Sequence, residues 1–263
     1  MDNRKIGVFD SGVGGLTVFS EIIKQLPNED ITYIGDTKRF PFGNKSKESI
    51  ISISKQIVNY LILQDVKLIV IACGTATSQA LEELRKIYKI PIIGIIEPTI
   101  ENCIKEDTKS VGIIATKGTI RSGEWEKQIK QKNNNIETIS IETPLLASMA
   151  EEGWTQNKVA KAAIKEYMKE FKNTQIEKII LGCTHYPLFE KLIKEELGEK
   201  IETINTGVQM AKYLEKYLKE NQLENKKEHK GKYQINLTDT ECNFINVAEK
   251  LLGQKITINK IEL

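Results

Sequence analysis

Histidine is almost missing from this chain of 263 residues, which holds only His185 and His229, beside two tryptophans, six prolines and four cysteines. The cysteines are Cys73, Cys103, Cys183 and Cys242, and no two form a C-x-x-C pair. That spacing excludes a zinc ribbon and a thioredoxin-type motif. An even number of cysteines permits disulfides, but a large core with no secretory leader favours reduced thiols and a cytoplasmic protein. Excess charge of one sign is also lacking. Thirty-eight basic residues face 36 acidic ones, a net charge of +2. Nothing therefore asks for nucleic acid or an anionic membrane as partner. No apolar run is long enough to span a bilayer. The loop Asp10-Ser11-Gly12-Val13-Gly14-Gly15 has neither the G-x-G-x-x-G spacing nor the G-K-[ST] ending of a nucleotide loop. A small carboxylate at the following helix start suits it equally.

What is present is a repeated device. The apolar run Ile176 to Ile180 leads into Leu181-Gly182-Cys183-Thr184-His185 and then Tyr186-Pro187-Leu188. This reads as a buried strand, a turn and a helix that Pro187 can start. Leu68 to Ala72 leads in the same way into Cys73-Gly74-Thr75. A cysteine at a strand's carboxyl end sits where open α/β sheets bind ligands. The amides of the next helix start can lower its thiol pKa.

Taken in order, strands are expected at Lys5–Asp10, Ile31–Ile34, before Cys73 and at Ile92–Ile95. Helices are expected up to Gln25, over Lys47–Leu63 and Thr75–Tyr88, and from Glu97-Pro98. The loop Asp36 to Gly43 overhangs the same sheet edge. A second round opens at Val111, with strands at Ile136–Ile139, Ile176–Ile180 and Ile201–Ile204. Helices follow at Pro144–Glu152, stopped by Gly153, at Asn157–Phe171, and from Asn205 to Leu218. Lys219 to Lys232, with His229, reads as a solvated loop. A tail of strand Tyr233–Leu237, helix Thr240–Leu252 and strand Lys255–Ile258 closes the chain. Val111 to Thr116 mimics Ile6 to Ser11 at an offset of 105, and Cys183 follows Cys73 by 110. The near agreement points to an internal duplication, giving two facing, pseudo-symmetric parallel α/β domains with the site at their interface.

Two cysteines at equivalent strand ends of facing halves suit one reaction in particular. One thiolate removes a proton from a carbon acid, and the opposite thiol returns a proton to the other face. Asp10 is expected near Cys73, and His185 and Glu151 near Cys183. Thr75, Thr116, Thr119 and Thr184 fall at strand-to-helix turns, where hydroxyls and amides can hold carboxylates, although helix capping explains each threonine separately. Cysteine is a common core residue, and Cys103 and Cys242, with no such context, read as core. His185 can also be read as a structural hydrogen-bonding residue.

The ordered set Asp10-Ser11-Gly-x-Gly-Gly, Pro41-x-Gly43, Cys73-x-Thr75, Glu151-Glu152-Gly153 and Leu181-Gly182-Cys183-Thr184-His185-Tyr186-Pro187 resembles the glutamate racemases of the aspartate/glutamate racemase superfamily, from Ile6 to about Gly207. The resemblance implies reversible conversion of L- and D-glutamate with no pyridoxal phosphate or metal, supplying D-glutamate for peptidoglycan. It implies Cys73 and Cys183 as the acid/base pair, assisted by Asp10, His185 and Glu151. Ser11, Pro41, Phe42, Gly43, Thr75 and Thr184 fall at its substrate-binding positions, with Gly74, Thr116 and Thr119 beside them. It also implies two α/β domains, 1–96 plus a rejoining 208–263 and 97–207, and a homodimer.

Two positions depart from the pattern. Gly74 replaces a usual asparagine, and Phe42 a usual tyrosine. A side chain at position 74 is expected to point at the substrate, so glycine should forfeit a charged hydrogen bond of roughly 1.5–3 kcal/mol unless water replaces it. The competing readings are a racemase for another amino acid such as aspartate, a catalytically weak binding or regulatory relative, and a metal site of Cys73, Cys183 and His185. The last is disfavoured because no fourth ligand is supplied nearby.

Overall fold

Long unbroken apolar runs demand strands covered on both faces, as in a parallel sheet between helices. The computed structural model, which describes residues 2–105, 107–225, 230–240, 249, 252–253 and 255–263, has two such sheets. The first half supplies β1 (Lys5–Asp10), β2 (Ile31–Gly35), β3 (Val66–Ile71) and β4 (Ile92–Gly94). The tail supplies β9 (Tyr233–Leu237) and β10 (Ile258–Lys260). Their order is β10-β9-β2-β1-β3-β4. The other sheet is built from β5 (Ser110–Ala115), β6 (Glu137–Glu142), β7 (Lys178–Leu181) and β8 (Glu202–Asn205), in the order β6-β5-β7-β8. Apart from the two tail strands, the second sheet repeats the order of the first. All pairings are parallel.

Alternation along β1 divides the first half into two cores. Ile6 and Val8 pack with α1 (Leu16–Gln25) and α10 (Thr206–Glu220). Phe9, on the opposite face, packs with α2 (Lys47–Leu63) and α3 (Gly74–Ile87). The first strand of each sheet lies between the next two, so successive connections leave it in opposite directions. A crevice then opens at the strands' carboxyl ends, where ligands bind in this class of sheet. Asp10 and Cys73 flank that crevice in one sheet, and Thr116 and Cys183 flank it in the other.

Other elements keep near their expected bounds. Gly153, at φ 72°, follows α7 (Pro144–Glu151), and Asn157 caps α8 (Lys158–Met168). Cys103 ends α4 (Ile96–Cys103) and is buried in the large core. The expected strand at 136–139 runs instead over Glu137–Glu142, its length hidden by half-exposed polar residues. The final strand lies at 258–260, not 255–258, on the exposed sheet edge. The helix implied by the Thr116 turn is the short α5 (Lys117–Arg121), and one helix was not anticipated, α6 (Glu124–Lys132). In α6 only Trp125 and Ile129 are buried, too sparse a stripe to stand out. Cys242, His229 and nearly all of the expected helix 240–252 lie outside the described residues. No helix among the described residues is long and apolar enough to cross a membrane.

Candidate active site

The first thiol turn is built around a buried carboxylate. Asp10 ends β1, and its Oδ2 accepts the amides of Gly12 and Gly15, each at 3.1 Å. A Cβ at Gly15 would stand 2.4 Å from the Asp10 Cβ, so only glycine lets the loop fold back so closely. Burial pushes the Asp10 carboxyl up to about 6, against the pull of His185 and the two amides. Cys73 stands two residues beyond β3 and caps α3, its Sγ accepting the Ala76 amide at 3.5 Å. The sequence suggests a helix start that lowers this thiol. Burial and the Asp10 charge outweigh the Ala76 amide and Ser11 contact, and hold the thiol up at about 12.

The second thiol turn has a cation where the first has an anion. Cys183 stands two residues beyond β7, its Sγ 3.6 Å from His185 Nδ1. His185 Nε2 meets Glu151 Oε1, at the end of α7, at 2.6 Å. Burial alone would lower the His185 pKa. The bonds to Cys183 and Glu151 win and raise it to about 10, so the ring is an imidazolium at neutral pH. Two contacts tie this turn to the first. Thr184 Oγ1 donates to Asp10 Oδ1 at 3.4 Å, and Thr17 Oγ1 donates to the Thr184 carbonyl at 2.7 Å.

Both turns open on one small cavity. Cys73, Gly74, Thr75 and Ser11 line it from one sheet, Cys183, Thr184, His185, Thr116 and Thr119 from the other. Pro41, Phe42 and Gly43 complete the wall. The hydroxyls of Thr75, Thr116 and Thr119 form a closed triangle with sides of 2.9, 2.9 and 3.3 Å. Thr116 precedes α5 yet makes no side-chain cap bond to it, so capping does not account for its hydroxyl. Asp10 and Glu151 do not line the cavity; each stands behind a lining residue.

Sequence reasoning missed Phe40, Ala147 and Gly182 in the lining, and Thr17 behind it. Phe40 lies against the His185 ring, centroids 5.8 Å apart. The structure also corrects one expectation. A Cβ at Gly74 would not point at substrate; it would stand 2.4 Å from the Gly182 carbonyl oxygen, across the seam between the halves.

Among the described residues no three His, Cys, Asp or Glu side chains are grouped as a metal would need. The family sequence model described as Asp/Glu/hydantoin racemase matches residues 6–211. The chain belongs to this racemase family. Glutamate racemase of Geobacter metallireducens is 39% identical over 254 residues, 96% of this chain and 94% of that protein. The Sulfurihydrogenibium glutamate racemase is 42% identical over 260 residues, covering 98% and 97%. Among solved structures, glutamate racemase from Francisella tularensis in complex with D-glutamate superposes with a TM-score of 0.93 at 38% identity, covering 100% of this chain and 98% of that one. In this member of the racemase family, two buried thiols face one small cavity.

Proposed function

We propose that this chain is an amino-acid racemase that interconverts L- and D-glutamate by two-base proton transfer, with Cys73 and Cys183 as acid and base. One observation carries the reading: two buried thiols, at equivalent strand ends of two like sheets, line one cavity with opposite charges behind them. Glutamate is favoured over aspartate because relatives at about 40% identity over nearly the whole chain are glutamate racemases.

The Cys183 thiolate, balanced by the His185 imidazolium, takes the α-proton of L-glutamate. The electron pair stays on the α-carbon, which flattens. The Cys73 thiol gives its proton to the opposite face, and D-glutamate leaves. The reverse reaction starts from a Cys73 thiolate and a Cys183 thiol. Ser11, Thr75, Thr184 and the Gly43 amide hold the substrate carboxylates, and the Thr116 and Thr119 hydroxyls extend that row. Asp10 and Glu151 act through their neighbours and position them. No step calls on a cofactor. A homodimer in the cytoplasm, with D-glutamate going to peptidoglycan, completes the proposal; light scattering reads the dimer.

The test is racemisation in deuterium oxide by protein treated with chelator and hydroxylamine, over a panel of amino acids. Glutamate should be turned over in both directions at undiminished rate. Early in each reaction the product should carry deuterium at the α-carbon while recovered substrate carries none, the signature of two bases. Equal labelling of both, restoration by metal or pyridoxal phosphate, or a preference for aspartate would overturn the proposal.

A further inference from the structure

The backbone flanking one thiol touches the backbone flanking the other. Gly74 follows Cys73 and opens α3; Gly182 precedes Cys183. An ideal Cβ at Gly74 would lie 2.4 Å from the Gly182 carbonyl oxygen and 3.5 Å from its carbonyl carbon. Several glycines sit in tight places here, but the obstacle differs. At Gly14 it is the His185 ring, a side chain. At Gly74 it is main chain of the opposite half, which no rotamer change can clear.

Neither partner has room to retreat. The Gly182 amide donates to the Ile114 carbonyl at 2.8 Å. A Cβ on Gly182 itself would meet that carbonyl oxygen at 2.9 Å and the Ala115 Cβ at 3.1 Å, so the turn is pressed against β5. Gly74 is fixed by the helix it starts, through the Cys73 sulfur and the Ala76 amide. Two further seam contacts lie along α3, Thr75 to Thr116 at 2.9 Å and Gln79 Nε2 to the Gly118 carbonyl at 3.0 Å. A methyl group at position 74 therefore acts as a wedge. Restoring ordinary contact, from 2.4 Å to at least 3.4 Å, parts the two turns by about 1 Å.

We propose that Gly74 is a positioning residue for racemisation, setting the separation of the two thiol turns by allowing main-chain contact with Gly182, and that it does not act as a substrate-binding position. This deepens the two-base reading and rests on it. A racemase needs both sulfurs within proton-transfer reach of one α-carbon. A misplacement of 1 Å can cost about 10²-fold. A reaction that uses a single thiol escapes the penalty, because substrate can follow either turn.

Glutamate carrying a leaving group on the β-carbon supplies such a reaction. One thiolate takes the α-proton, the electron pair forms the α–β double bond, and the β-substituent departs as an anion. The enamine then hydrolyses to an oxo acid and ammonia. Gly74→Ala and Gly74→Asn should lose about 10²-fold in racemisation kcat, in both directions. Elimination from the L and D analogues should stay within a few-fold of the parent chain. Gly182→Ala is the contrast, since its methyl group collides inside its own half; it should lower the melting temperature and depress both reactions together. Gly74 variants that behave like Gly182→Ala, failure to fold included, would overturn the inference. So would a Gly74→Asn chain that racemises glutamate as well as its parent. A crystal structure of Gly74→Ala decides independently of substrate: the 74 to 182 main-chain gap should widen by about 1 Å, and an unchanged gap refutes the wedge. Should the parent chain fail to racemise glutamate, the functional reading falls alone, and that crystallographic comparison still decides.

Discussion

Cys73 and Cys183 hold equivalent places, two residues past β3 and β7, yet the groups behind them carry opposite charge. Behind Cys73 lies the Asp10 carboxylate, and burial with that charge pushes the thiol up to about 12. Beside Cys183 lies the His185 imidazolium, backed by Glu151. Duplicated backbone thus supplies two like positions, and side chains that differ between the halves, Asp10 in one and His185 in the other, set opposite charges beside them. On the proposed reading, this asymmetry suits taking a proton from one enantiomer and returning one on the other face. Because the two enantiomers are equally stable, kcat/KM must be equal in both directions for any variant. Asymmetry between the two turns is therefore invisible in kcat/KM and is read most directly in reactions that use one thiol.

The largest expected effect comes from removing either thiol. Cys73→Ser and Cys183→Ser should each abolish measurable racemisation, since a serine hydroxyl is far too weak an acid to serve as a base near neutrality. Each variant keeps one thiol. Cys73→Ser should still eliminate from the L β-substituted analogue and Cys183→Ser from the D analogue. If both variants prefer the same enantiomer, the assignment of faces is wrong. Next in size are the charges behind the sulfurs. His185→Asn should cost about 10²–10³-fold in kcat/KM and lower elimination from the L analogue, with the D analogue spared. Asp10→Asn should cost less, about 10²-fold or below, and spare the L analogue instead. Parallel loss on both analogues would show that these groups hold the fold and do not serve separate thiols.

How much of this was legible beforehand depends on whether a feature is local. The apolar runs that stop at Cys73 and Cys183 marked both strand ends, and the offsets of 105 and 110 foreshadowed the repeated strand order. Asp10, His185 and Glu151 sit beside recognisable turns, so their neighbourhoods could be expected. Gly74 was misjudged because the direction of its absent side chain depends on where Gly182 comes to rest, 108 residues away in sequence. Phe40 and Ala147 escaped for a similar reason: each reaches the cavity from a segment whose own pattern carries no chemical signal. Thr17 reads as an ordinary residue of α1 until its hydroxyl meets the Thr184 carbonyl.

A middle-sized effect follows from pH. Activity should fall below about pH 6, as Asp10 becomes neutral, and above about pH 10, as His185 loses its charge. A profile of kcat/KM for glutamate reads both limbs, and Asp10→Asn should remove the acidic one. Persistence of the limb near 6 in that variant would assign it to another group. Stability has its own sign. Both folded values lie above the ordinary ones, 3.8 for Asp10 and 6.5 for His185, so both contributions are present at low pH and lost as pH rises. Asp10 loses its share between about 4 and 6. Relative to the parent chain, Asp10→Asn should therefore melt higher at pH 7 than at pH 4. The reverse order would mean that the ionised carboxylate stabilises the fold.

The smallest effect sharpens the comparison most, because it adjusts one turn without removing anything from the cavity. Glu151 stands behind His185 and does not line the pocket. Glu151→Gln keeps an oxygen able to accept from Nε2 while deleting the charge. Burial lowers the His185 pKa; the bonds to Cys183 and Glu151 raise it. Removing the Glu151 charge weakens the raising side, so the alkaline limb should move down from about 10 toward 6.5. The Glu151 charge also raises Asp10, as the least of its influences, so the acidic limb should move down slightly in the same direction. Both limbs thus shift toward acid, the alkaline one further, and the active window narrows. At pH 8 racemisation should fall a few-fold, elimination from the L analogue should fall with it, and elimination from the D analogue should hold. An alkaline limb that stays near 10 in Glu151→Gln would show that Cys183 alone keeps the imidazolium charged, and that the two turns differ through one side chain and not through a relay of two.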